Sequence, residues 1–142
     1  MKKTKFDSLV KLKKLKVREI ENKILKLNST LQKEIENLKK IENQLLKLEY
    51  PKEGSFSLII QFKTIQNYYL KEIKLKKSQI DFIKHQLSNL ENSLKEANLE
   101  LEKMLYLQGE EIKKIVNRIK KGEAKNLDEI ALLLFERKKG LE

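Results

Sequence analysis

The sequence predicts an all-α protein: a long antiparallel two-helix coiled-coil hairpin with a short C-terminal helix. Three observations carry that expectation. Apolar residues recur at alternating steps of four and three along two long stretches, the repeat that keeps one seam of a helix against a partner and supercoils the pair left-handedly. Between those stretches, in Tyr50-Pro51-Lys52-Glu53-Gly54-Ser55, lie the only proline of the 142 residues and one of only four glycines. Finally, the chain is 37% charged and 6% aromatic, with no Trp and no Cys. That composition is poor for a globular core but suits helices that bury one narrow seam. Disorder is the competing reading of so much charge, and the regular apolar spacing argues against it. The chain reads as a single unit over 1–142, with arm one at 4–49, a turn at 50–57, arm two at 58–121 and a C-terminal helix at 127–139.

In the first arm the seam runs Phe6, Val10, Lys13, Val17, Ile20, Ile24, Leu27, Leu31, Glu34, Leu38, Ile41, Leu45, Leu48, with eleven of thirteen positions apolar. Lys13 and Glu34 are the exceptions. A polar side chain in a seam can fix register, whereas a long lysine near a helix end can snorkel to water; snorkelling is the expectation for Lys13. Leu9, Leu12, Leu15, Leu25, Ile35 and Leu46 lie beside the seam and widen it. They leave room for a further helix or a partner, or serve as extra cover for the two-helix seam.

The turn follows from local chemistry. Proline lacks the donor that a helix interior needs and pushes the residue before it out of the α region, while Gly54 permits the angles of a reversal. In the second arm the seam runs Phe62, Gln66, Tyr69, Ile73, Lys76, Ile80, Ile83, Leu87, Leu90, Leu94, Ala97, Leu101, with nine of twelve apolar. It then continues through Leu105, Gln108, Ile112, Ile115 and Ile119. Leu101 to Leu105 is a second consecutive step of four, the spacing of a stutter, and Gly109 follows it. A softening near 105–110 is the expectation, against an uninterrupted helix.

If the hairpin closes over 50–57, position i faces about 107 − i, so that Phe6 lies near Leu101, Leu27 near Ile80 and Leu38 near Tyr69. Residues beyond about 106 then lack a first-arm partner, although Ile112, Ile115, Val116 and Ile119 still form an apolar stripe. An unpaired stripe of this kind implies a binding partner. Lys120-Lys121-Gly122 reads as a helix end, and Asn126 with Glu129 as the cap of a new one. Leu127, Ile130, Ala131, Leu133, Leu134 and Phe135 make that short helix amphipathic. A helix of ~12 residues is marginal alone in water, so it must dock, either on the overhang or on a partner.

The residue types also exclude classes of function. Without Cys there are no disulfides or thiolate ligands, and the lone His85 falls off the seam with no second His to share a metal. The glycines stand too far apart for a phosphate-cradling loop. Asp and Glu are spread along exposed faces beside Lys, so neither catalysis nor a cofactor is expected. The longest apolar run, Ala131 to Phe135, falls far short of the ~18 residues of a membrane span. Met1-Lys2-Lys3 resembles the start of a signal peptide, but Lys11, Lys13, Lys14 and Lys16 break up any apolar core, which points to the cytoplasm.

The net charge of +11 is uneven, with residues 1–18 carrying eight basic side chains against Asp7. Lys113, Lys114, Arg118, Lys120, Lys121 and Lys125 form a second basic run, which a hairpin brings beside the first. With only three arginines and no aromatics among the lysines, nucleic-acid binding is not expected. It remains an alternative, as does a generic coiled-coil scaffold. A membrane-surface role for 5–17 would need Phe6, Leu9, Val10 and Val17, and that face is also the seam.

Three stretches together are similar to the FliJ family of the flagellar type III export apparatus. They are Lys5-Phe6-Asp7-Ser8-Leu9-Val10-Lys11-Leu12-Lys13, then Tyr68-Tyr69-Leu70-Lys71-Glu72-Ile73, then Leu127-Asp128-Glu129-Ile130 with Phe135-Glu136-Arg137-Lys138-Lys139. The resemblance covers nearly the whole chain through their order and spacing. It implies an antiparallel coiled coil like the central stalk of rotary ATPases. Such a stalk sits in the hexameric flagellar export ATPase ring, links it to the export gate in the membrane and interacts with export chaperones. Carried over, Phe6, Leu9, Val10 and Lys13 with Ile112, Ile115 and Ile119 would enter the ring. The gate-contacting stripe would fall on Tyr69, Ile73, Lys76 and Ile80, although family members usually have a small or apolar residue where Lys76 stands. The resemblance also places the chain at the cytoplasmic face of the inner membrane, held there through its partners.

Overall fold

The computed structural model describes residues 4–140, and the side-chain surroundings of 4–138; Lys2 and Lys3 of the first basic run lie outside the described residues. Two helices account for nearly all of it, α1 (Asp7–Leu46, 40 residues) and α2 (Phe56–Gly140, 85 residues). No strand occurs among the described residues. The fold is the all-α hairpin of two long helices that the apolar repeat predicts. Contacts divide it into two units: residues up to Leu15 with those from Ala97 onward, and Lys16–Glu96.

Within Lys16–Glu96, α1 runs antiparallel to the first part of α2. Leu31, Ile80, Ile83 and Leu87 are buried together, with Ile24, Leu27, Ile35 and Leu38 packed around them. Ile35, a flanking residue by its spacing, thus belongs to the core, whereas Leu25 and Leu46 are exposed. The polar residues of the two seams meet each other. Lys76 Nζ donates to Glu34 Oε2 at 2.8 Å, and both side chains are about four-fifths covered. A carboxylate and an ammonium withdrawn from water in this way need each other, so the pair favours one register of the two helices.

That register differs from the symmetric reversal expected from the turn. The relation 107 − i places Glu34 opposite residue 73, whereas it meets Lys76. The cause is the loop. Helix α1 stops at Leu46, and residues 47–55 fold back along the start of α2, with Tyr50 packing edge-on against Phe62 at 5.1 Å between ring centroids. At Phe62 the start of α2 therefore meets the loop. Ser55 caps α2, its side-chain oxygen and carbonyl accepting from the amide of Leu58 and its carbonyl also from Ile59. Gly54 is not used for a left-handed angle, since no glycine among the described residues has positive φ.

In the other unit the start of α1 packs against α2 from Ala97. Val10 and Ala97 are buried at 4% and 3% exposure. Lys13 does not simply snorkel, because its Nζ lies 2.6 Å from Glu100 Oε2. Asp7 meets Gln108, where the symmetric relation would have put residue 100. The doubled step of four falls later than expected, at 104, 108 and 112. Met104 is half-buried and Leu105 is 40% exposed, so the seam proceeds 97, 101, 104, 108 without losing its alternation. Met, unbranched and flexible, fills such a position readily.

Helix α2 does not end at Lys121. It continues through Gly122 and Asn126 to Gly140, so the 127–139 segment is helical, as its spacing predicts, but is no separate element. One helix-interior glycine costs only ~1 kcal/mol relative to Ala, and here it stands among Lys120, Lys121, Glu123, Ala124 and Lys125, all good helix formers except the glycine itself. No proline enforces a stop.

Candidate functional site

The seven residues assigned to the ATPase ring all fall in the unit formed by the start of α1 and α2 from Ala97. Their environments differ. Val10 is buried; Phe6, Lys13, Ile112 and Ile115 are half-buried; Leu9 and Ile119 are exposed, at 42% and 44%. Val10 therefore supports the hairpin, while Leu9 and Ile119 offer surface. Spacing also put Leu12 beside the seam, and the structure leaves it exposed next to Leu9.

This surface extends along α2. Every residue from Asn117 to Lys138 is exposed, among them Leu127, Ile130, Leu132, Leu133 and Leu134. By its spacing this amphipathic segment is expected to dock. In the structure its leucines face water, on the same helix that carries Lys113, Lys114, Arg118, Lys120, Lys121 and Lys125. The result is an exposed apolar run on a helix that is basic ahead of it.

The start of α1 is held by a small hydrogen-bond network whose signal in the sequence is the capping-box pattern Thr4-x-x-Asp7. Asp7 accepts from the Thr4 amide at 3.1 Å, the Thr4 hydroxyl at 2.7 Å and Gln108 Nε2 at 2.8 Å. The Phe6 amide donates to Thr4 Oγ1, and Lys5 Nζ lies 5.3 Å from the centre of the Phe6 ring. The hydrogen bonds from Gln108 and Thr4 hold the Asp7 carboxyl below the usual carboxylate range. A depressed folded-state pKa stabilises the folded state above the unfolded value, and the effect is lost as pH falls through the folded one. Protection of the amides of residues 8–10, measured against the intrinsic exchange rate at each pH, should therefore fall on acidification below pH ~4. Asp7→Ala should show low protection at every pH and lose that transition; an unchanged acid transition in the variant would assign it elsewhere.

The four residues assigned to the gate all lie in Lys16–Glu96, on the seam that faces α1. Ile80 is 5% exposed and belongs to the core; Tyr69 and Ile73 are half-buried; Lys76 is engaged with Glu34. Lys76, where the resemblance implies a small or apolar residue, is thus held within the molecule by Glu34. The outward-facing neighbours are Tyr68, Leu75 and Phe82, exposed at 61%, 53% and 62%. Seam spacing passed over them because one partner helix needs only one seam.

No cluster of three His, Asp or Glu that could hold a metal occurs among the described residues, and no helix among them is long and apolar enough to cross a membrane. What the molecule offers are helix faces and the open grooves between them, so its class is the coiled-coil hairpin. The family is more specific. A family model described as "Flagellar FliJ protein" matches residues 1–140. The chain belongs to the FliJ family, whose members are components of the flagellar export apparatus and not known enzymes. No curated protein and no solved structure matches it.

Proposed function

We propose that this chain is the central stalk of its export apparatus, sitting in the hexameric export ATPase ring, promoting the ring's assembly and activity, and linking it to the membrane export gate and to export chaperones. The observation that carries the reading is the continuation of α2 beyond its pairing with α1. From Asn117 to Lys138 the helix exposes a run of large apolar side chains, Ile119, Leu127, Ile130 and Leu132 to Leu134 among them, beyond what a solvated helix face needs. A ring that encloses this stretch together with Leu9, Leu12 and Ile119 would cover them. With Ile80 buried and Lys76 held by Glu34, the gate contact in this reading is carried by the half-buried Tyr69 and Ile73, and the Tyr69 ring lies 5.8 Å from that of the exposed Tyr68. Association with the membrane then goes through the gate.

Adding the purified chain to its cognate export ATPase should raise ATP hydrolysis and shift the ATPase toward hexamers in sedimentation. Absence of both effects would overturn the proposal. Ile119→Asp, at an exposed position, should keep the helicity of the chain. It should weaken the apparent affinity about tenfold, the effect of losing ~1.4 kcal/mol of contact.

A further inference from the structure

We propose that the groove between α1 and α2 over residues 23–34 and 75–93 is a docking site for one amphipathic helix of a partner protein, apolar on one face and acidic along its flanks. The site lies within Lys16–Glu96, and the proposal is independent of the ring contact, none of whose residues fall in that range.

Two adjoining open hollows of about 480 and 560 Å³ make up the groove, and they share Leu27, Thr30 and Gln86. Its floor is the flank of the hairpin core at Leu27 and Ile83. Its α2 wall carries Leu75 and Phe82, exposed at 53% and 62%.

The pattern along that wall separates a docking face from an ordinary solvated flank. The exposed positions 75, 79, 82, 86, 89 and 93 advance by fours and threes, and they read Leu, Gln, Phe, Gln, Asn, Ser. None is charged, in a chain that is 37% charged. The outward-facing line 74, 77, 81, 84, 88, 91, 95 advances in the same way and reads Lys, Lys, Asp, Lys, Ser, Glu, Lys. Six of its seven residues are charged. The groove side therefore has the composition of a helix interface, with charge depleted and an aromatic anchor present. Its 3.5-residue repeat is the one a further helix follows when it packs along a coiled coil.

Charge selects the occupant. The α1 wall presents Lys23 and Lys26, exposed and without an ion-pair partner among the described residues. The one carboxylate lining the groove, Glu34, is already paired with Lys76. A helix seated on Leu75 and Phe82 would place one flank along these lysines, where Asp or Glu is favoured and Lys or Arg repelled. At 1.5 Å per residue, a partner helix of about 20 residues spans the groove.

The test uses the full chain and three labelled synthetic peptides in fluorescence anisotropy. The first carries leucines at heptad seam positions and glutamates on the flanks. The second has lysines in place of the glutamates, and the third is a scramble of the first that destroys the apolar stripe. The first should bind at least tenfold more tightly than either of the others. Phe82→Asp should weaken it at least tenfold, and Lys23→Glu with Lys26→Glu should reverse the preference between the first two. All three substitutions are at exposed positions, and circular dichroism checks that helicity is kept. Equal binding of the first peptide and its scramble would reduce the effect to net charge and overturn the proposal. So would binding indifferent to Phe82→Asp, or a preference unmoved by the lysine reversal. Self-association of the chain that Phe82→Asp abolishes would also overturn it, by making a second copy the occupant.

Discussion

Ile80→Ala should lower the free energy of unfolding by about 3 kcal/mol, the middle of the range for a buried Ile, Leu or Met cut back to Ala. Ile80 is 5% exposed and shares its cluster with Leu31, Ile83 and Leu87. Two long helices held by a single narrow seam have little room to collapse onto a void, because no second layer lies behind the first. Urea unfolding followed at 222 nm measures the loss. Lys84→Ala, on the charged outward face one residue after Ile83, is the control and should stay within ~0.5 kcal/mol of the parent. A parent-like midpoint for Ile80→Ala would remove Ile80 from the core. The result also bears on gate binding. Any loss of gate affinity on changing Ile80 must be corrected for the unfolded fraction before it is assigned to a contact.

The second large effect is expected at the charge pair in the seam. Glu34→Lys places two ammonium groups where a carboxylate and an ammonium now meet at 2.8 Å, each about four-fifths covered. Loss of a hydrogen bond between charged groups, together with the new repulsion, should cost about 2 kcal/mol. Lys76→Glu alone should cost a similar amount. The double swap, Glu34→Lys with Lys76→Glu, should recover most of it, giving a coupling energy of ~1 kcal/mol or more in a double-mutant cycle. Lys13–Glu100 is the comparison. Its side chains are 28% and 47% exposed, and the same cycle there should give under ~1 kcal/mol. Equal coupling at the two pairs would show that coverage at Glu34 and Lys76 adds nothing. If the swap fails to recover stability, register must be held by the apolar residues alone.

Much of the fold was legible because the repeat that predicts it is local. All thirteen seam positions of the first arm and all twelve of the second up to Leu101 are buried or half-buried. A side chain's place on a helix face follows from its number in the chain, and apolar burial needs no particular partner to be favourable. The candidate surfaces were less legible for the same reason. Spacing finds the residues that face inward, and the resemblance draws its implied binding residues partly from that same seam, so that Val10 and Ile80 are among them while the hairpin buries both. The residues left facing outward, such as Tyr68, Leu75 and Phe82, belong to a weaker second pattern that is visible only once the first is known to be occupied.

The sequence by itself determined that this chain is helical, that it folds back near Pro51, and which face of each helix turns inward. These are consequences of backbone chemistry and of period. Only the tertiary structure decided the register, because that depends on whether Glu34 meets Lys76 and on how Tyr50 folds onto Phe62. It likewise decided that Met104, not Leu105, continues the seam, and that α2 runs through Gly122 without a break. At Gly122 the local cost of helix is only about 1 kcal/mol, and in the other cases nothing local separates the alternatives, so contacts distant in the chain choose between them.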